Sequence, residues 1–81
     1  MLSIVLKIDE IYVPVDRRKE LDQDRVETVA EEIMEEAGEQ PILVRRDKDR
    51  YILVKGIHRL EARKALGDET IQAFVVRARQ H

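Results

Sequence analysis

The residues best suited to chemistry lie together, where a predicted strand ends and a predicted helix begins. The first N–H groups of a helix lack intrahelical acceptors and lie at the positive end of the helix dipole. Such an end binds anions, and a glycine there lets the backbone approach a phosphate closely. The sequence therefore predicts a phosphate site formed by the following residues: Lys55, Gly56, Ile57, His58, Arg59 and, one helical turn further on, Arg63.

The same stretch also fits a purely structural role. In that interpretation Gly56 only permits a tight turn, His58 packs near the sheet, and Arg59 covers surface. The residue types and their spacing leave both interpretations open.

Basic residues elsewhere could add contacts to such a site. Arg17 and Arg18, next to Lys19, suit a phosphate or a nucleic-acid backbone, but they equally suit a solvated loop. On a predicted hairpin, strand alternation places Arg45 and Arg46 on opposite faces, so at most one of them points to a given ligand. We take Arg17, Arg18 and Arg46 as the candidate basic contacts.

We predict no metal site in the chain. Asp47 and Asp49 suit a turn, and the glutamates between residues 27 and 36 suit the solvated face of a helix. The sequence contains no cysteine, which excludes disulfides, cysteine–zinc sites and thiol catalysis.

The elements that must position these residues follow from the apolar pattern. Asp22 suits the N-cap of the first helix, and Gly38 and Gly67 suit helix ends. The order of strands and helices predicts an α+β fold with a small mixed β-sheet and two main helices. The elements are a strand at 2–8, a loop or edge segment at 11–15, a helix at 22–37, a hairpin of strands at 42–46 and 51–54, a helix at 57–66, and a strand at 70–76.

The 81 residues suit one domain, 1–81, ending in a flexible tail over 77–81. No apolar run is long enough to span a membrane, so we expect a soluble cytoplasmic protein. The net charge of -2 conceals an uneven distribution. Residues 1–40 hold 5 Lys/Arg and 12 Asp/Glu, whereas residues 41–81 hold 10 and 5. The basic second half is either a solvated surface or one that attracts phosphate.

Three segments carry a resemblance to a known family. They are Gly56-Ile57-His58-Arg59-Leu60-Glu61-Ala62, the following Ala65-Leu66-Gly67, and Glu69-Thr70-Ile71-Gln72-Ala73-Phe74-Val75. With Gln40-Pro41-Ile42 and the Val13-Pro14…Arg17-Arg18 segment upstream, the chain resembles the ParB/sulfiredoxin superfamily from about residue 2 to residue 76. Sulfiredoxins carry Gly-Cys-His-Arg at the start of this helix, and ParB N-terminal domains carry Gly-Glu-Arg-Arg.

The resemblance implies a ParB/sulfiredoxin-like fold that binds nucleotide phosphates, ATP in sulfiredoxins and CTP in ParB proteins. The matching positions are Gly56, His58 and Arg59, and the implied cofactor is a nucleoside triphosphate with Mg²⁺. Ile57 replaces the sulfiredoxin cysteine, which excludes sulfinic-acid reduction. Ile57 and His58 also replace the Glu and the first Arg of the ParB motif, so CTP hydrolysis does not carry over.

We therefore expect a small ParB-like domain that binds a nucleotide or nucleic-acid phosphate at Gly56–Arg59 and acts in association with DNA. Two alternatives stay open. One is a phosphotransferase or nuclease that uses the same pocket, although no catalytic residue can be assigned. The other is a protein-interaction module with a vestigial pocket, working as an oligomer or with a protein partner.

Overall fold

The computed structural model describes residues 2–35 and 40–77. A 3₁₀ turn at Ile8–Glu10 follows the first strand. In chain order the elements are β1 (Ile4–Lys7), β2 (Ile11–Tyr12), α1 (Val15–Arg18), α2 (Gln23–Glu35), β3 (Ile42–Asp47), β4 (Arg50–Lys55), α3 (Ile57–Ala65) and β5 (Thr70–Val76).

The strands form one mixed sheet in the order β1-β5-β3-β4-β2. The β1–β5 and β3–β4 pairs are antiparallel, whereas β3–β5 and β2–β4 are parallel. The predicted α+β fold with a small mixed sheet is confirmed. The segment before Pro14 lies at an edge, as predicted, because proline has no N–H to donate to a neighbouring strand.

The core lies between the sheet and α3. Val44 of β3, Ala73 of β5 and Leu60 of α3 are completely buried. α3 contacts β3, and α2 packs against α3 with Val26 buried. The helix that begins at Gly56 is therefore held by the sheet on one side and by α2 on the other.

The start of α2 confirms Asp22 as its N-cap. The Asp24 N–H donates to Asp22 Oδ1 over 3.0 Å, and the Val26 N–H donates to the Asp22 carbonyl over 3.0 Å. The predicted helix end at Gly38 lies outside the described residues, as does the predicted tail after residue 77, which ends at His81.

Two segments differ from their predicted structure. The first strand covers Ile4–Lys7 rather than 2–8, and Ile8 belongs to the 3₁₀ turn. Arg17 and Arg18 belong to the short helix α1 rather than to a loop, so the loop interpretation was wrong. Pro14 precedes this helix with φ −61°, and its carbonyl accepts the N–H groups of Arg17 and Arg18 at 2.9 and 3.1 Å. A proline with extended ψ suits the residue before a helix, because its missing N–H has no part in helix hydrogen bonding. No helix among the described residues is long and apolar enough to span a membrane.

Candidate functional site

The junction between β4 and α3 requires a glycine. Gly56 has φ 115° and ψ 32°, a conformation that other residues rarely adopt. A Cβ atom on Gly56 would lie 2.6 Å from Cγ2 of Ile42, which is closer than real atoms approach. The Gly56 carbonyl accepts the Leu60 N–H over 2.9 Å, so the helix begins immediately after the glycine. Gly56 has no side chain to cap the N–H groups of Ile57 and His58, which lack intrahelical acceptors.

These N–H groups lie at a cavity of about 610 Å³. Its volume falls within the range of pockets that hold small molecules and cofactors. Its wall is formed by residues of α1, α2 and α3, of β3, β4 and β5, and of the segments next to them. The lining residues are Arg17, Glu20, Arg25, Val29, Glu32, Gln40, Pro41, Ile42, Leu43, Lys55, Gly56, Ile57, His58, Arg59 and Phe74.

Positive charge exceeds negative charge around this cavity. Four Lys and Arg side chains line it against two Glu side chains. Arg17 forms an ion pair with Glu20 at 3.2 Å, and Arg59 Nη2 donates to Gln40 Oε1 over 3.3 Å. These contacts hold two guanidinium groups at the cavity wall, next to the positive end of α3.

An irregularity in the hairpin places Lys55 at the cavity. Leu43 pairs with Lys55, but the next residue of β3, Val44, pairs with Leu53. Val54 is therefore an extra residue in β4, which shifts the side-chain alternation by one position. Lys55 and the buried Leu53 therefore lie on opposite faces of the sheet, and Lys55 lines the cavity together with Leu43.

His58 contacts the start of α2. Its Nε2 accepts the backbone N–H of Asp22 over 3.1 Å, a contact between two helices that are far apart in sequence. In this contact Nε2 is the acceptor and the backbone N–H of α2 is the donor. The side chain thus joins the first turn of α3 to the N-cap of α2.

The structure brings together most of the residues singled out in the sequence. Lys55, Gly56, His58 and Arg59 all line the cavity, and so does Arg17 from α1. Ile57 lines it too, although its side chain belongs to the hydrophobic core.

Three of the predicted residues lie elsewhere. Arg63 Nη1 donates to Asp68 Oδ2 over 3.1 Å, with only 16% of the Arg63 side chain exposed. Arg18 lines a separate cavity of about 310 Å³. Arg46 lies at the hairpin turn, where its Nε donates to the Lys48 carbonyl over 3.3 Å.

The sequence analysis missed the part of the wall that α2 provides. Arg25, Val29 and Glu32 lie along one face of α2 and all line the cavity. Their i, i+4, i+7 spacing is the sequence signal for that face, although Arg25 is a single basic residue in an acidic helix. Gln40 and Phe74, which also line the cavity, carried no comparable signal.

The described part of the chain contains no group of three or more His, Asp or Glu side chains placed to hold a metal ion.

The mixed sheet and the glycine-started helix that opens onto a cationic cavity define a protein of the ParB/sulfiredoxin fold class. The model of the ParB N-terminal domain family matches residues 3–81. The chain belongs to this family.

Comparisons with individual proteins agree with this assignment. The chain is 39% identical over 74 residues to the probable chromosome-partitioning protein ParB of Campylobacter jejuni. That match covers 90% of this chain but only 27% of the relative, so the chain corresponds to about a quarter of the curated protein.

Two solved structures share the fold closely. Sulfiredoxin from Arabidopsis thaliana superposes with a TM-score of 0.83 and 27% identity, over 96% of this chain and 88% of that chain. The C-terminally truncated chromosome-partitioning protein ParB from Caulobacter crescentus, complexed with CTP-γ-S, superposes with a TM-score of 0.79 and 26% identity, over 99% of this chain and 47% of that chain.

Proposed function

We propose that this domain binds a nucleoside triphosphate, with CTP as the first candidate, and holds its phosphates at the N-terminus of α3. The observation that carries this proposal is the start of α3 itself. Gly56, which no other residue can replace without a clash against Ile42, opens the helix directly onto a cavity with an excess of positive charge.

The chemistry of the cavity suits a chain of phosphates. The N–H groups of Ile57 and His58 offer fixed donors at the positive end of the helix dipole. Arg59 and Lys55 add charge from the same junction, and Arg25 adds charge from the opposite wall. Hydrogen bonds from charged donors to phosphate oxygens are stronger than those between neutral groups.

The relatives support the same ligand and a DNA-associated role. The Caulobacter crescentus ParB structure contains CTP-γ-S, and the Campylobacter jejuni relative is named a probable chromosome-partitioning protein. We infer that this domain works with DNA in the cytoplasm, whether or not it touches DNA itself. Any Mg²⁺ would be held mainly by the nucleotide phosphates, with Glu20 and Glu32 as the carboxylates at the cavity wall.

Isothermal titration with CTP, ATP, GTP and UTP, each in the presence of Mg²⁺, tests the proposal. We expect binding of at least one nucleotide, with CTP the tightest. Arg59→Ala should weaken that binding about tenfold or more, because it removes a charged donor from the phosphates.

Lys64→Ala is the matched control. It also removes one positive charge from α3, but Lys64 pairs with Glu61 at 3.1 Å and does not line the cavity. Its affinity should match that of the unchanged protein. Absence of binding by all four nucleotides, or equal affinities for Arg59→Ala and the unchanged protein, would contradict the proposal.

A further inference from the structure

We propose that His58 is a positioning residue that completes the N-terminal cap of α2, and that it thereby allows Arg25 to serve the cavity. This inference rests on the proposed function for its consequence at the ligand, but its structural part can be tested without any ligand. It assigns to the His58 side chain a role other than direct contact with phosphate, which the backbone N–H of the same residue still provides.

The hydrogen bonds at the start of α2 leave one donor of its N-cap without a local acceptor. Asp22 is the N-cap, so Gln23, Asp24 and Arg25 occupy the first three helical positions. In a capping box the third position is Glu or Gln, whose side chain accepts the N–H of the N-cap residue. Arg25 occupies that position here, and a guanidinium group has no acceptor. The cap of α2 therefore lacks its usual local acceptor for the Asp22 N–H.

His58 supplies that acceptor from a different helix. Its Nε2 lies 3.1 Å from the Asp22 nitrogen and takes the place of the missing Glu or Gln. An intramolecular hydrogen bond gives a modest net stabilisation even where the donor is exposed, so His58 makes up for the acceptor that Arg25 lacks. While this hydrogen bond exists, the Nε2 lone pair faces α2 and does not contact a ligand in the cavity.

Because His58 accepts the Asp22 N–H, the residue at the third position of α2 does not have to do so. A Glu or Gln at the third position would fold back onto Asp22, whereas Arg25 lines the cavity together with Val29 and Glu32. His58 is the second residue of α3, at the point where we place the phosphates. The hydrogen bond thus fixes the first turn of α2, and with it Arg25, relative to the start of α3.

A thermal double-mutant cycle tests the capping role without ligand. His58→Ala should lower Tm by about 4–8 °C, the order expected for the loss of one hydrogen bond in a domain of this size. The same substitution should lower Tm by less than half as much in an Arg25→Gln background, because a glutamine at the third position can accept the Asp22 N–H itself. Equal losses of Tm in the two backgrounds would overturn the capping role.

A second cycle follows CTP affinity and separates positioning from direct contact. Arg25→Ala should weaken binding about tenfold, and His58→Ala about fivefold. If His58 acts through Arg25, the double variant should bind no more than about twofold more weakly than Arg25→Ala alone. If the fold-losses in CTP affinity of the two single variants multiply in the double variant, the His58 side chain is an independent phosphate ligand and the positioning role is overturned.

His58→Gln provides the conservative control. Its side-chain oxygen reaches about as far as Nε2 and can accept the same N–H, so both Tm and CTP affinity should stay close to those of the unchanged protein. A loss as large as that of His58→Ala would count against the inference. If the unchanged protein binds no nucleotide, the proposed function fails, and the thermal cycle and the Tm of His58→Gln still decide the capping role.

Discussion

At the scale of single residues, the site depends on the one position where only glycine fits. The φ of Gly56 excludes most side chains, and Ile42 occupies the space that a Cβ would take. Gly67 provides the contrast, because it also has a positive φ, at 85°, but nothing lies within 4 Å of its Cβ position. Backbone conformation and steric contact can therefore be separated by comparing the two glycines.

We predict that Gly56→Ala destabilises the fold by about 2–4 kcal/mol, since backbone strain and the clash with Ile42 add. Gly67→Ala should cost only about 1 kcal/mol, because backbone strain acts alone. Urea denaturation of the two variants measures both values. Similar losses for the two would show that Ile42 moves aside at little cost.

Some of the predicted site residues lie at the cavity and others lie elsewhere, and each position has a structural reason. Gly56, His58 and Arg59 follow one another at a helix start, so local geometry alone brings them together. Arg63 lies one turn further along α3, but Asp68 in the turn after the helix attracts its side chain. Arg25 reaches the cavity only because α2 packs against α3, a contact that no local pattern contains.

At the scale of elements, the hairpin of β3 and β4 lacks the Asn-Gly or Asp-Gly turn sequence that is typical of two-residue hairpins. Its two-residue turn is Lys48-Asp49, and Lys48 has φ 57°, the only positive φ among the described residues other than glycine. A two-residue turn with a positive φ at its first central residue alone favours glycine there, as type II′ turns do, because glycine tolerates this conformation. Asp47 and Arg50, which flank the turn, form an ion pair at 3.6 Å that is exposed and adds little.

We predict that Lys48→Gly stabilises the protein by about 0.5–1 kcal/mol, because glycine adopts this φ without the steric cost that lysine bears. Asp49→Gly is the control and should destabilise by about 0.5–1 kcal/mol, since Asp49 has no positive φ to relieve. Thermal denaturation followed by circular dichroism measures both. A loss of stability in Lys48→Gly would contradict this account of the turn.

The elements themselves were largely predictable, but their arrangement in the sheet was not. Apolar periodicity indicated both main helices and every long strand, because each buries one face. The order β1-β5-β3-β4-β2 depends on pairing between strands far apart in sequence. No local sequence pattern indicates the extra residue at Val54, although this residue determines on which face of the sheet Lys55 lies.

At the scale of the whole molecule, the cavity joins the two halves that differ in charge. Arg17 and Arg25 come from residues 1–40, which carry an excess of acidic residues, whereas Lys55 and Arg59 come from the basic half. The basic half therefore provides only part of the cationic wall. A protein partner or an oligomer stays a prediction, and β1, at the edge of the sheet with Leu2 and Val5 exposed, is where a further strand could pair.

We predict that the Kd for CTP rises about tenfold between about 50 mM and about 500 mM NaCl, because salt screens attraction between the phosphates and the cationic wall. Arg17→Ala and Lys55→Ala should each reduce this salt dependence, since each removes one charge from the wall. Titrations at several salt concentrations measure the slope. A smaller slope in Lys55→Ala but not in Arg17→Ala would confine the electrostatic attraction to the basic half.

The most direct test of nucleotide binding at the start of α3 is an NMR titration of the ¹⁵N-labelled protein with CTP and Mg²⁺. We predict that the backbone amides of Ile57 and His58 show the largest shifts, because their N–H groups meet the phosphates. The amides of Asp68 and Glu69, which line a different cavity, should stay in place. No shift at saturating CTP, or shifts centred away from Gly56–Arg59, would contradict the account.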